Sequence, residues 1–280
     1  MDVPFVIGSE EHKRAFCGVL IATFDPTKPS IQPWPRLSAD ALKRLTDLPF
    51  WDVAVETEGY ASCRMQAIAD TLTDPMIKQA ISTNAFEEGR HKLILRDMLR
   101  FYDIKLQDEK PYGTHRGAEW LFLRTGYGEC FDSFFAFGLF KMAKDSGYFP
   151  PELVDVFEPI VQEEARHILF FVNWLAYTAK NRGFIGSLLF RLKGFAALVI
   201  SGLGRVSLAG AADYGGSSDN FVAAGGSTLT TGLTVRSLLQ TALAEDTCRM
   251  APFNRHLLRP RLMPFLATLA VSVIKLFNRS

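Results

Sequence analysis

The chain shows little that would attract a nucleic acid. Its 31 Lys and Arg are balanced by 30 Asp and Glu, for a net charge of +1, and no polyelectrolyte-binding character follows from that balance. Its four cysteines, at 17, 63, 130 and 248, are scattered, and no CxxC occurs. A rubredoxin-type iron site or a zinc ribbon within the chain is therefore excluded. Cysteine usage fits a reducing compartment, so the expected location is cytoplasmic. There is no GxGxxG in a strand–helix context, no flavin fingerprint and no iron–sulfur cysteine pattern. No stretch is expected to reach the ~18 apolar residues that suggest a membrane span. Lys13-Arg14 followed by the apolar stretch 15–24 imitates a signal peptide, but Asp2, Glu10 and Glu11 precede it and no small-residue cleavage site follows. A short amphipathic helix capped by Ser9 is the expectation there.

What the chain does have is a large apolar complement, 48% of its 280 residues with 23 Phe, enough for a substantial core. Its punctuation separates three parts. Residues 1–48 read as an N-terminal helix, a Pro-rich arm (Asp25 to Pro35) expected to lie over the surface, and a short helix capped by Ser38 and running to about Asp47. Residues 49–182 read as four long helices. These cover about Phe50 to Leu72, Pro75 to Tyr102, Ala118 to Lys144, and Pro150-Pro151 to Lys180, with Pro159 expected to kink the last or mark its true start. Residues 183–280 read as apolar helices around a loose Gly/Ser-rich loop near 209–232.

The pentapeptide Glu87-Glu88-Gly89-Arg90-His91 returns 76 residues later as Glu163-Glu164-Ala165-Arg166-His167. A Glu and a His three apart on a helix lie about 60° apart around the axis and point the same way. The apolar stripes of the four long helices carry the same signal. They run Trp51–Val55–Glu58–Met65–Leu72, Ile77–Ile81–Glu88–Leu95–Met98, Phe122–Glu129–Ser133–Ala136–Phe140 and Phe157–Val161–Glu164–Ile168–Phe171–Leu175. Each stripe is interrupted near its middle by one glutamate. Glu56, about 200° from Glu58, is expected to face outward.

Burying four carboxylates and two imidazoles without compensation would cost many kcal/mol or force the acids to stay protonated. Two divalent ions would cancel four glutamates, and imidazole with carboxylate suits iron. One Glu from each of two helices and Glu-x-x-His from the other two is the ligand inventory of ferritin-like di-metal proteins. Here that gives Glu58, Glu88, His91, Glu129, Glu164 and His167.

On these residues the chain resembles the ferritin-like di-iron carboxylate superfamily, over about Phe50 to Lys180. The resemblance implies an all-α fold, a ferritin-like four-helix bundle with additional N-terminal and C-terminal helices. It implies two iron ions as cofactor, with a mixed manganese–iron pair also admitted, and O2 as co-substrate. The acids before each ligand glutamate would then hydrogen-bond the opposite histidine, Glu87 to His167 and Glu163 to His91; two solvated glutamates are the plain alternative. Arg90 and Arg166 could pair with these acids, although Arg90 is expected to face away from the site. Asp132 faces near the site, as a supporting acid or a local salt-bridge partner. Ser133 sits one turn beyond Glu129, where multicomponent monooxygenases carry a hydroxyl residue. Ala61 and Ala136 could leave room for a substrate. Leu95 stands where ribonucleotide reductase small subunits carry a radical tyrosine, which argues against a tyrosyl radical.

The long extension beyond the bundle favours an O2-activating oxygenase or oxidase acting on a small, fairly apolar, even lipid-like organic substrate. A ferroxidase or peroxide-scavenging relative is the first alternative, and a non-catalytic metal-stabilised bundle the second. Electrons would come from a separate reductase or ferredoxin. A homodimer is the expected assembly. The apolar tail could be a lid, a dimer surface, a peripheral membrane contact or simple packing against the bundle.

Overall fold

Helix signals in the sequence are strong enough to fix most of the architecture. The computed structural model describes residues 4–109, 111–113, 117–210 and 234–277. Among them it has nine helices and no strand: α1 (Glu10–Ile21), α2 (Ala39–Thr46), α3 (Trp51–Ala69), α4 (Pro75–Phe101), α5 (Ala118–Ser146), α6 (Pro151–Lys180), α7 (Gly183–Gly210), α8 (Val235–Met250) and α9 (Leu262–Phe277). The fold is all-α. The expected Gly/Ser-rich loop lies, beyond Gly210, outside the described residues.

The starts are capped as the sequence suggests. Ser9 accepts from the His12 amide, Ser38 from that of Ala41, and Asp74 from those of Met76 and Ile77, with Pro75 at the first position of α4. α5 ends at Gly147, whose φ of +64° few other residues tolerate. α6 runs through Pro159 instead of beginning there. Tertiary packing on both sides of the proline outweighs the one backbone hydrogen bond it removes.

α3 packs on α4 and α5, and α6 on α4 and α5; α1 lies against α4 and α6. α7 covers α5 and α6, α8 covers α5 and α6, and α9 rests on α8 and α5. Two apolar clusters occupy opposite ends of the long helices. One gathers Phe16, Met65, Ile81, Phe122, Phe170 and Trp174, and the other Trp34, Val55, Ile94, Met98, Leu99 and Leu153. Along α3, α4 and α6 the polar residues 58, 87–91 and 163–167 fall between these clusters. The charged layer is thus sealed above and below by side chains that exclude water.

The Pro-rich arm is more firmly held than a surface strap. Trp34 is buried and its indole N–H donates to Asp97 Oδ2 at 2.7 Å. The Tyr102 hydroxyl donates to the Pro35 carbonyl at 2.7 Å. α7 also differs from expectation. Gly183–Arg205 is long and apolar enough to cross a membrane by length and composition. Counting uninterrupted apolar residues misses it because Arg191 and Lys193 break the run without lowering its average much. Phe190, Ala197 and Ser201 are buried, but most of its large apolar side chains are exposed.

Candidate metal centre

The two pentapeptides face each other across α4 and α6, and their first and last residues are exchanged. His91 Nε2 and Glu163 Oε2 are 2.7 Å apart, and His167 Nε2 and Glu87 Oε2 are 2.8 Å apart. These are the cross-helix pairs that the resemblance implies. Each acid also holds an arginine of the other copy: Arg90 donates to Glu163, and Arg166 donates to Glu87 at 2.8 Å. Arg90 therefore does not face away. It is buried, because only there can it neutralise Glu163. The sequence signal was the arginine common to both copies.

The N-terminal segment supplies two further partners that sequence reasoning missed. Lys28 Nζ donates to Glu163 Oε1 at 2.6 Å, and Thr23 accepts from Arg166. No local pattern marks a single lysine in a Pro-rich arm as a partner for a residue so far along the chain.

With Nε2 engaged, the Nδ1 atom of each ring is turned to inner glutamates. His91 Nδ1 is 3.1 Å from Glu164, 3.6 Å from Glu58 and 4.0 Å from Glu88. His167 Nδ1 is 2.8 Å from Glu88 and 3.8 Å from Glu164. Ligand atoms of Glu58, Glu88, His91 and Glu164 all lie within 4.8 Å of one another. His167 adjoins this group through Glu88. Glu129 enters through its electrostatic influence from Glu164, His167 and Glu58. The rings lie 5.9 Å apart between centroids, inclined at 30°.

Hydrogen bonding separates the inner acids from the outer ones. Glu88 Oε1, both oxygens of Glu129, Glu164 Oε1 and both Nδ1 atoms are buried without a hydrogen-bond partner. The 2.8 Å approach of His167 Nδ1 to Glu88 is thus a contact without hydrogen-bond geometry. Glu87 and Glu163 are neutralised by Arg166, Arg90 and Lys28. Among the described residues no lysine or arginine pairs with the inner four. Buried groups left this way are costly.

Protonation answers that cost in the absence of a cation. Burial, reinforced by Glu164, drives Glu88 well above the usual carboxylate range and Glu129 up to about 8. Burial opposes ionisation of Glu164 too, yet His167 and His91 hold it down to about 2. Both imidazoles are raised well above their ordinary value: burial works against them, but Glu163, Glu164 and Glu58 overcome it at His91, and Glu88, Glu164 and Glu87 at His167. The grouped imidazole nitrogen and carboxylate oxygens of Glu58, Glu88, His91 and Glu164, short of positive charge, are a donor set that could hold a metal ion.

The other expected residues divide. Ser133 and Ala61 are buried, and Ala136 is half-buried. Leu95 is half-buried and packs into the Trp34–Met98 cluster. Asp132 turns to α7, where Arg205 donates to both of its oxygens, one at 2.7 Å. Its position on α5 puts it near the site, but its partner is the covering helix. Glu56 adds no atom to the cluster. No family model matches the chain, and no curated protein or solved structure matches it.

Proposed function

We propose that the chain is a ferritin-like di-iron carboxylate protein, an oxidoreductase that activates O2 to oxidise a small, fairly apolar organic substrate. The observation that carries this reading is the cluster of Glu58, Glu88, His91 and Glu164, whose ligand atoms lie within 4.8 Å of one another, together with the buried, partnerless atoms on Glu88, Glu129, Glu164, His91 and His167. The four helices that supply them would form the bundle. Glu58, Glu88, His91, Glu129, Glu164 and His167 would hold two irons, or a manganese–iron pair. The metal pair would supply the redox chemistry toward O2.

The protein's own contribution is positional. Glu87 and Glu163 fix the ring orientation that leaves Nδ1 inward, and, against burial, the histidines, with Lys28 and the arginines, hold both acids below the usual carboxylate range. The apolar clusters on either side keep water from the layer. Ser133, buried one turn after Glu129, is placed to hold or pass a proton, and the small Ala61 and Ala136 limit crowding at that level. Electrons would come from a separate reductase or ferredoxin, and a homodimer is the proposed assembly.

Anaerobic loading with ferrous iron, then mixing with O2, tests the reading. About two irons per chain and a transient absorption that decays without further iron uptake support it. Continued oxidation of added iron into a mineral would make the chain a ferroxidase instead. Purified protein holding neither iron nor manganese, with metal content indifferent to Glu88→Ala, would remove the metal centre altogether.

A further inference from the structure

We propose that the outward faces of α7 and α9 form a docking surface for an anionic phospholipid bilayer, with both helices lying flat in the headgroup region. On α7, Ile185, Leu188, Leu192, Phe195 and Leu203 are exposed, Leu192 at 57%. At about 100° per residue they fall within roughly 60° either side of Leu192. The buried Phe190, Ala197 and Ser201 lie opposite, against α5 and α6. Arg191 flanks the apolar stripe at one edge, where its long basic side chain can reach headgroups while its stem covers apolar surface.

α9 repeats the arrangement. Leu262, Phe265, Leu269, Val273 and Leu276 are exposed on one side, Phe265 at 65%, and Ala267 and Val271 are buried on the other. Leu198 of α7 and Leu262 and Met263 of α9 line one cleft with Tyr127, Cys130 and Phe131 of α5. Both helices thus border one cleft on α5 without packing on each other. Each carries an apolar face larger than scattered surface residues would produce.

Charge identifies the occupant. α7 and α9 hold none of the chain's 30 acids and four of its 31 basic residues, Arg191, Lys193, Arg205 and Lys275. The remainder of the chain is consequently net acidic, so one face is polarised toward anionic lipid. A second copy docked face to face would bring these cationic margins together. Spanning is disfavoured because α7 is fastened sideways to α5, through Lys193 on Glu119 and Arg205 on Asp132.

Co-sedimentation of the metal-free chain with sealed vesicles tests the surface independently of any metal. Binding to phosphatidylcholine mixed with phosphatidylglycerol is expected, and it should weaken in pure phosphatidylcholine and at raised salt. Leu192→Asp with Phe265→Asp should lower vesicle affinity about tenfold or more. Arg191→Gln with Lys275→Gln should lower it about tenfold on anionic vesicles only. All four side chains are exposed, so circular dichroism should be unchanged. Three results would overturn the proposal: no sedimentation with either lipid, affinity indifferent to the aspartates, or a protease-protected α7 that marks a span. A dimer that the aspartates dissociate, in a protein that ignores vesicles, would assign the face to a second copy instead.

Discussion

Glu129→Gln keeps the shape of a buried acid and removes its charge, which makes it a sharp probe of why the acid is there. Both oxygens are buried and partnerless, and burial plus the Glu164 carboxylate raises the pKa from an ordinary 4.5 to about 8. A raised acid pKa means the folded chain binds more protons than the unfolded one. Stability is then undiminished below the ordinary value and falls as pH climbs toward the folded value. At ~1.4 kcal/mol per pH unit, ionisable Glu129 costs the metal-free protein up to about 3 kcal/mol at neutral pH. The glutamine variant, without metal, should therefore match wild type near pH 4.5 and be more stable than wild type at pH 8.

Metal should reverse that order. Saturating two sites a hundredfold above their Kd adds about 5 kcal/mol, and at about 2–4 °C per kcal/mol the wild-type Tm rises by roughly 10–20 °C. The variant should lose half of that rise or more. Calorimetry of metal-free and Mn(II)-loaded protein across this pH range reads both effects. If glutamine destabilises the metal-free chain at pH 8, or if Mn(II) raises both proteins equally, Glu129 is a structural residue and the reasoning is wrong.

Glu87→Leu leaves the His167 Nε2 atom without its partner and removes one of the two acids paired with the buried Arg166, and should cost about 3 kcal/mol in urea unfolding. Glu87→Gln, which can still meet the ring, should lose far less stability but about 10–100-fold in Mn(II) affinity by titration. A Cβ at Gly126 would stand 2.3 Å from the Phe171 ring, whereas one at Gly113 meets nothing within 4 Å. Gly126→Ala should therefore cost about 1–3 kcal/mol and Gly113→Ala almost nothing by the same assay. Burial lowers the pKa of His12 against the pull of its Asn173 hydrogen bond. Its contribution is present above the ordinary 6.5 and lost as pH falls through the lowered folded value. His12→Gln should flatten the acid side of the Tm profile.

Helix positions were legible because they are punctuated locally: Ser9, Ser38, Asp74-Pro75 and Gly147 each act on their own neighbourhood. The inner glutamates were legible for a different reason. A carboxylate in the middle of an apolar stripe has no bland reading, and four such stripes coincide. What could not be read were contacts made across long separations without periodicity. Lys28 reaches Glu163, Trp34 reaches Asp97, and Asp132 finds Arg205 in a helix outside the long four. α7 shows a further limit, since composition reports how apolar a helix is but not whether its outer face meets a partner.

The exchange between the two pentapeptides makes the site indivisible. The first residue of each copy serves the last residue of the other, so neither copy holds its own histidine. Sliding α4 by one residue against α6, about 1.5 Å along the axis, would break both diagonals at once, and no intermediate register would keep one of them. The pair thus behaves as a two-pin key that admits a single alignment of the helices. A hairpin carrying only one copy could satisfy the same chemistry in one way, by meeting a second hairpin head to tail.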